Sequence, residues 1–266
     1  SANNEQTIGT SIGPNAVFSP TLYRRDVSSS GGGSRLDAIR YAATNFVSAV
    51  AEKAAGADGN LTTTADNINH RIAVVGFASE SGYGNNTELL SIKGNNSGSV
   101  GVAYQSIAPQ NNKDVLQSMD TEAGKTLVAS AINALTANGA TRIDLGLDMA
   151  EKILNANPVP TGEKRNRVVI VFTDGAPTSF NGFDKTVATS ANNIATAIKN
   201  TAGATVYSVG VFAGADAGSA GTEPSGDLGE GNRQITAACN WFMQQISSNN
   251  GTPKDPSYYL SASDAD

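Results

Sequence analysis

The sequence predicts an α/β fold in which a mostly parallel β-sheet carries helices on both faces, in a three-layer, doubly wound arrangement. Near-continuous apolar runs of strand length occur at residues 71–78 and 167–173, and such runs are typical of strands covered on both faces. Segments with apolar residues at helical spacing lie between and before them, for example at residues 35–53 and 143–155. Strands that alternate with helices along a chain predict parallel strands joined by crossover helices.

The other elements follow from the same periodicities and from the turn residues between them. Ser34 precedes the first helix as a candidate N-cap, and Pro20 weakens the first strand. In chain order, the predicted elements are a weak strand at 17–23, a helix at 35–53, a strand at 71–78, helices at 113–119, 123–135 and 143–155, a strand at 167–173, a helix at 190–199, a strand at 205–212, a helix at 234–246 and a short strand at 258–260.

Two segments stand apart from this pattern because of their composition. Residues 1–16 are polar and rich in Gly and Asn, so we interpret them as a flexible N-terminal segment before a single domain at 17–266. Residues 79–109 are rich in Gly, Asn and Ser and are too long for a plain connection. We therefore predict an insert at about 79–109 on the rim of the domain, with short β-like pieces at 88–93 and 100–107.

The overall composition excludes several classes of function. The chain has 266 residues, of which 39% are hydrophobic, so it is long enough to bury a sizeable core. Its net charge of −6 argues against binding nucleic acid, which requires a basic face, and no stretch is apolar enough to insert into a membrane. Cys239 is the only cysteine, which excludes an intrachain disulfide. His70 is the only histidine, at the entrance to the predicted strand at 71–78, and we favour a surface or strand-edge role for it over catalysis.

Three short segments, far apart in the chain, offer oxygen ligands for one metal ion. They are a D-x-S-x-S pattern followed by glycines, a G-A-T sequence before a predicted helix, and a T-D-G sequence at the end of a predicted strand. The candidate ligands in them are Asp26, Ser28, Ser30, Thr141 and Asp174. Carboxylates and hydroxyls are hard donors, which suit Mg²⁺ or Mn²⁺ and disfavour zinc. Ligands of open α/β sheets bind at the carboxyl ends of the strands, so the three segments can share one edge.

Each motif has a simpler interpretation when it is taken alone. The D-x-S-x-S pattern is then a serine-rich turn that caps the next helix, and T-D-G is an ordinary exit from a strand. Thr141 is then an N-cap, with Asp144 completing a pair similar to a capping box. Asp144 and Asp148 are then solvated helix charges, although Asp144 is also a candidate for orienting a metal ligand. The order and spacing of the three motifs and their flanking helices match those of a known family of metal-binding domains, and this resemblance favours the metal site.

This combination resembles the metal-ion-dependent adhesion site (MIDAS) of von Willebrand factor type A (VWA) domains. The resemblance covers roughly residues 17–266 and is nearest to the VWA domains of Gram-positive bacterial surface and pilus-tip adhesins. The stretches that carry it are SRLDAIRYAATNFV, RIAVVGFAS, ANGATRIDLGLDMAEKIL, RVVIVFTDGAPT, VYSVGVFAG and YYLSASDAD. It implies a Rossmann-like fold for the doubly wound sheet.

The resemblance also implies a mode of binding. Ser28, Ser30 and Thr141 would coordinate Mg²⁺ or Mn²⁺, with Ca²⁺ less favoured, through their hydroxyls. Asp26 and Asp174 would do so directly or through water, and a Glu or Asp of the partner would complete the shell. The implied function is that of a non-enzymatic, extracellular adhesion module at a bacterial cell surface or pilus. Its partner would be a host or extracellular-matrix protein, with other pilus subunits as further partners of the full-length protein.

The sequence departs from the family pattern at two places. Arg24 and Arg25 precede Asp26 where the family has a buried apolar strand, and Ser29 stands where it usually has Gly.

Two other functions remain open as alternatives. The first is an intracellular VWA module that assembles with an ATP-driven machine of the chelatase kind, because the same site also suits it. The second alternative is a metal-assisted hydrolase, but the sequence offers no general base beside the metal for that chemistry. No signal peptide or wall anchor is recognisable, so if this is a surface protein we expect the sequence to be a processed fragment or an excised domain.

Overall fold

The computed structural model describes residues 35–56, 60–61, 68–78, 88–89, 102–103, 116–135, 139–248 and 257–262, which all belong to one unit spanning residues 33–266. These residues contain five helices and eight strands. The helices are α1 (Arg35–Ala54), α2 (Glu122–Asn133), α3 (Ile143–Ala156), α4 (Lys185–Asn200) and α5 (Ile235–Ile246). The strands are β1 (Arg71–Ile72), β2 (Val75–Gly76), β3 (Glu88–Leu89), β4 (Val102–Ala103), β5 (Gln117–Ser118), β6 (Val168–Thr173), β7 (Thr205–Val211) and β8 (Tyr259–Ala262).

The prediction of a mixed α/β fold with parallel strands is confirmed by β6, β7 and β8. These strands form a parallel sheet in the order β6-β7-β8, with Val171 beside Ser208 and Ser208 beside Tyr259. Helix α4 connects β6 to β7, and α5 lies between β7 and β8 in the chain. Parallel neighbours of this kind require crossover connections, which the two helices supply.

The remaining strands are short and antiparallel, which differs from the prediction of one long buried strand at residues 71–78. That segment contains β1 and β2 separately: β1 pairs with β5, and β2 pairs with β3, which pairs with β4. Residues 71–77 are half-buried, so the apolar run is shared between two small sheets. The β-like pieces predicted inside the insert at 79–109 correspond to β3 and β4, while the rest of the insert lies outside the described residues.

The prediction of a helix at residues 113–119 is wrong over its described part, residues 116–119. Gln117 and Met119 are buried and Ser118 is half-buried, so burial alternates with the period of a strand. The backbone N–H of Met119 donates to the carbonyl of His70 at 2.8 Å, which continues the pairing of β5 with β1. Short apolar runs are ambiguous between helix and strand, and here a distant pairing partner decides.

The helices α1, α2, α3 and α5 match their predicted positions to within two residues, whereas α4 begins five residues earlier than predicted. The cause is Asp184, whose carboxylate accepts hydrogen bonds from the N–H groups of Thr186 and Val187 at 2.8 and 3.1 Å. This N-cap satisfies backbone donors that the first turn of a helix leaves without partners. The predicted strand at 17–23, the segment at 1–16 and Ser34 lie outside the described residues.

The hydrophobic core lies between the parallel sheet and the helices α3, α4 and α5. Its fully buried members include Val206 on β7, Ile198 on α4, Phe242 on α5 and Tyr259 on β8. The hydroxyl of Ser208 donates to the carbonyl of Met243 at 2.9 Å, which ties β7 directly to α5. A smaller core between α1, α2 and β5 contains Val47, Ala54, Met119, Val128 and Ile132.

Arg167, the residue before β6, joins the end of α3 to the segment after α4 at the amino-terminal end of the parallel strands. Its guanidinium donates to the carbonyls of Leu154 and Asn157 at the end of α3 and to the carbonyl of Ala202 after α4. Burial lowers the pKa of this guanidinium from its usual value. The last carbonyls of a helix lack partners within the helix, and a cation there also interacts favourably with the helix dipole. None of the helices in the described part of the chain is long and apolar enough to span a membrane.

Candidate functional site

The exit of β6 presents a carboxylate to solvent at the carboxyl edge of the parallel sheet. Thr173 is the last residue of β6 and is buried, whereas the next residue, Asp174, is exposed. The Thr173 hydroxyl donates to the carbonyl of Gly175 at 3.0 Å and accepts from the N–H of Gly175 at 3.3 Å. This turn anchors both neighbours of Asp174, so the end of β6 sets the position of the Asp174 backbone.

The segment before α3 lies against this turn. The N–H of Thr178 donates to the carbonyl of Thr141 at 3.1 Å. A Cβ atom added at Gly175 would lie 3.1 Å from the hydroxyl oxygen of Thr141. Two of the three predicted segments, those containing Thr141 and Asp174, therefore meet at one place although they are more than 30 residues apart in sequence.

The simpler interpretation of Thr141 as an N-cap is wrong. The N-cap of α3 is Arg142, and no side chain forms a capping hydrogen bond there. The interpretation of Asp144 as a solvated charge is also wrong, because it is 5% exposed. Its two carboxylate oxygens accept hydrogen bonds from Nε and Nη2 of Arg142, both at 2.9 Å. Asp148 is half-buried and pairs with Lys152 at 2.7 Å.

The donors that the structure describes fit a hard cation. Asp174 offers an exposed carboxylate, and Thr141 offers a hydroxyl beside a glycine that leaves room for it. Oxygen donors of low total charge are those that Mg²⁺ takes. Asp26, Ser28 and Ser30 lie outside the described residues, so their part in the site stays a prediction. Within the described ranges there is no group of three or more His, Cys, Asp or Glu residues placed to hold a metal ion.

A second loop lies at the same edge, after the end of β7, and the amide of Asn240 fixes its start. Asn240 is a buried residue of α5. Its Oδ1 accepts hydrogen bonds from the N–H of Asp216 at 3.0 Å and from the hydroxyl of Tyr259 at 2.7 Å. Its Nδ2 donates to the carbonyl of Gly214 at 3.2 Å. The loop is thereby attached to both α5 and β8.

Gln244, one turn further along α5, fixes the other half of the same loop. Its Nε2 donates to the carbonyl of Ser219 at 2.7 Å and to that of Ala217 at 3.4 Å, while its Oε1 accepts from the N–H of Gly221 at 3.3 Å. Our sequence analysis missed both amides. The signal was present, because two amide side chains four residues apart share one face of α5, whose residues are mostly apolar.

Several ionisable groups near this edge are perturbed by burial or by hydrogen bonds. The Ser219 hydroxyl and the N–H of Gly218 lower the pKa of the exposed Asp216 carboxyl. Burial raises the pKa of the Tyr259 hydroxyl, and the neighbouring Cys239 and Asp216 add to that effect. Burial also raises the pKa of Cys239 to about 12. Cys239 is therefore a protonated residue of the core rather than a nucleophile.

Comparison with known proteins adds no relative: no protein-family model, curated protein or solved structure matches the chain.

Proposed function

We propose that this chain is a non-enzymatic adhesion module of the VWA type. In this proposal it works outside the cell, on a bacterial surface or pilus, and binds a carboxylate of a host or matrix protein through Mg²⁺ or Mn²⁺. The observation that carries the proposal is the approach of Thr141 to the turn that holds Asp174. Two motifs that the metal site requires thus come together at the sheet edge where α/β proteins bind ligands.

The finer fold in this proposal is the three-layer, Rossmann-like VWA arrangement. Two consecutive crossovers support it, one from β6 to β7 through α4 and one from β7 to β8 through α5. In such a sheet a strand at 17–23, as the sequence predicts, would bring Asp26, Ser28 and Ser30 to the same edge.

The chemistry of the site follows from its low negative charge. Asp174 and Asp26 would supply the two carboxylates, and the hydroxyls of Thr141, Ser28 and Ser30 would add neutral oxygens. A divalent cation with so few anionic ligands keeps an affinity for one further carboxylate, which the partner would provide. The residues of this chain would bind and orient the ion, and the ion would supply the bond to the partner.

Calorimetric titration of Mg²⁺ and Mn²⁺ into chelator-stripped protein tests the proposal. We expect saturable binding at one site in the wild type, no binding in Asp26→Ala and Asp174→Asn, and weakened binding in Thr141→Val. Glu151→Gln is the matched control, since it removes one carboxylate from α3 about two turns away from the start of the helix. Binding that is absent in the wild type, or equal in all variants, contradicts the proposal.

A further inference from the structure

Three asparagines of the chain are followed directly by glycine, and one of these pairs lies in the turn that leads into α4. The pairs begin at Asn138, Asn181 and Asn250, and the structure describes both residues of the pair Asn181 and Gly182. The backbone nitrogen that follows an asparagine attacks the side-chain amide and closes a five-membered ring. A following glycine hinders this attack least, because it has no Cβ atom. The turn therefore contains a dipeptide with intrinsic chemical reactivity.

Both reacting groups of this dipeptide are accessible. Asn181 is exposed, and within the described ranges neither its side-chain amide nor the N–H of Gly182 forms a hydrogen bond. Other asparagines in the same part of the chain are held in place. The Nδ2 of Asn157 donates to the carbonyl of Ile153 at 2.9 Å, and the buried amide of Asn240 is hydrogen-bonded through both its oxygen and its nitrogen. Ring closure at Asn181 therefore breaks no hydrogen bond of the attacked amide or of the attacking nitrogen.

The fold requires glycine at position 182. Gly182 has a φ of 68°, a backbone conformation that other residues rarely adopt. A Cβ atom there would also overlap the carbonyl oxygen of Leu228. A bulkier residue after Asn181 would slow the attack on its side chain, but the packing of the turn against Leu228 excludes such a residue.

The backbone is anchored on either side of the reacting bond. The hydroxyl of Thr178 donates to the carbonyl of Asn181 at 2.9 Å, and Thr178 is 8% exposed. On the other side, Phe183 is 1% exposed, and its backbone exchanges two hydrogen bonds with Leu228, at 2.8 and 2.9 Å. An extra backbone atom between these two anchors would displace one of them.

We propose that Asn181 is a site of spontaneous deamidation in the folded protein, and that this modification changes the turn irreversibly. In the first step the nitrogen of Gly182 bonds to Cγ of Asn181 and the Cγ–Nδ2 bond breaks. Ammonia leaves with the proton of the Gly182 N–H, and a succinimide ring remains. Water, the only co-reactant, then opens the ring at either carbonyl. One opening gives aspartate, and the other gives isoaspartate, whose backbone runs through the former side chain.

The two products affect the turn differently. Both add a carboxylate three residues before Asp184, the N-cap of α4, but isoaspartate also lengthens the backbone by one methylene group. The extra atom lies between the Thr178 bond and the pairing of Phe183 with Leu228, so we expect the isoaspartate form to lose one of these contacts. Thr178 also donates its N–H to the carbonyl of Thr141 at 3.1 Å, so the change reaches the candidate metal site. The modification itself depends on the turn alone and not on the proposed function.

Peptide mapping by mass spectrometry tests the reaction. Trypsin releases residues 168–185, in which Asn181 is the only asparagine and no glutamine occurs, so a deamidated mass there has one source. The full chain is incubated at pH 8, once folded and once unfolded in guanidinium, and is digested beside a sample without incubation. We expect the folded chain to deamidate within about tenfold of the rate of the unfolded chain, because the turn leaves both reacting groups accessible. A slower reaction in the folded chain overturns the proposal.

Two variants locate the reaction. Asn181→Gln should abolish the deamidation of peptide 168–185, because a glutamine would have to close a six-membered ring. Asn193→Gln is the matched control, since Asn193 is exposed on α4 and is followed by Ile194, and it should leave the rate at Asn181 unchanged. Peptide 186–199, which contains Asn192 and Asn193, should stay unmodified over the same time. Deamidation of peptide 168–185 in Asn181→Gln, or equal deamidation of both peptides in the folded wild type, overturns the proposal.

The unfolding temperature of the converted protein tests the change in the turn. Anion exchange separates the converted forms from fresh protein, because each carries one more negative charge. We expect the isoaspartate form to unfold at a lower temperature than the fresh chain. Asn181→Asp adds the charge on a normal backbone, so it should unfold close to the wild type. An isoaspartate form as stable as the fresh chain overturns the change in the turn. None of these measurements uses a metal ion, so their failure and the failure of the proposed function are separate results.

Discussion

The backbone of Gly175 lies so close to Thr141 that a methyl group at position 175 would come within 3.1 Å of the Thr141 hydroxyl oxygen. Gly175→Ala should therefore force that oxygen to move by a few tenths of an ångström. If Thr141 is a metal ligand, we expect Mg²⁺ affinity to fall several-fold, because Mg²⁺ demands near-ideal octahedral geometry. Calorimetry measures the change.

Gly226→Ala is the matched control for this substitution. A Cβ atom at Gly226 would have no neighbour within 4 Å, so the same change in backbone freedom occurs there without a contact. Equal affinities in the two variants would mean that the Thr141 hydroxyl does not take part in binding.

Asp184 should make the stability of α4 sensitive to acid. Burial alone raises the pKa of its carboxyl, but hydrogen bonds from the Ser179 hydroxyl and from the N–H groups of Val187 and Thr186 outweigh burial, so the pKa lies below its usual value. A depressed pKa in the folded state contributes stability that is fully present above the unfolded pKa of about 3.9. This contribution is lost as the pH falls below about 4 towards the folded pKa.

Urea unfolding at pH 7 and pH 3 checks this prediction. Asp184→Ala should lower the free energy of unfolding at pH 7 by about 1 kcal/mol, because the first turn of α4 loses its cap. Asp184→Asn keeps an acceptor oxygen without the charge, so it should lose less stability than the wild type between pH 7 and pH 3. If Asp184→Asn loses as much free energy of unfolding as the wild type between pH 7 and pH 3, the acid sensitivity comes from other carboxyls.

Gln244 should hold the loop that follows β7. Its side chain is 1% exposed, and Gln244→Leu would leave the carbonyl of Ser219 and the N–H of Gly221 without that partner. We expect the free energy of unfolding to fall by about 1–3 kcal/mol. Hydrogen exchange at the amide of Gly221 should accelerate.

The adjacent residue supplies the control. Gln245 is half-buried on the same helix, and Gln245→Leu should leave the exchange of Gly221 unchanged. If Gly221 exchanges equally fast in the wild type and in Gln244→Leu, the amide does not order the loop.

Cys239 should be inert in the folded protein. It is 4% exposed, and burial raises its pKa to about 12, so at pH 8 almost none of it is the reactive thiolate. We expect its reaction with a disulfide reagent at pH 8 to be at least a hundredfold slower than in unfolded protein. A colorimetric thiol assay with and without guanidinium measures both rates. Rapid reaction of one thiol in the folded chain would show that the α5 core opens readily.

Local patterns in the sequence were sufficient to predict α1, α2, α3, β6, β7 and α5. In the helices the apolar residues repeat at helical spacing, whereas β6 and β7 are mostly apolar segments of strand length, and neither pattern needs knowledge of distant partners. The position of Asp174 directly after β6 follows from the same local information, because the apolar run ends there. The position of Thr141 just before α3 follows likewise.

Only the tertiary structure decided the pairings between residues that are distant in sequence. Residues 117–118 became a strand because β1 offered a partner, and Asp144 is buried because α3 packs into the distant core that contains its neighbours Ile143 and Leu147. The approach of Thr141 to Gly175, and the hold of Asn240 and Gln244 on the loop after β7, depend on how whole elements pack. Spacing along one helix or strand carries no information about which carbonyl a side chain will reach on another, and that is why the sequence alone could propose this site but not its geometry.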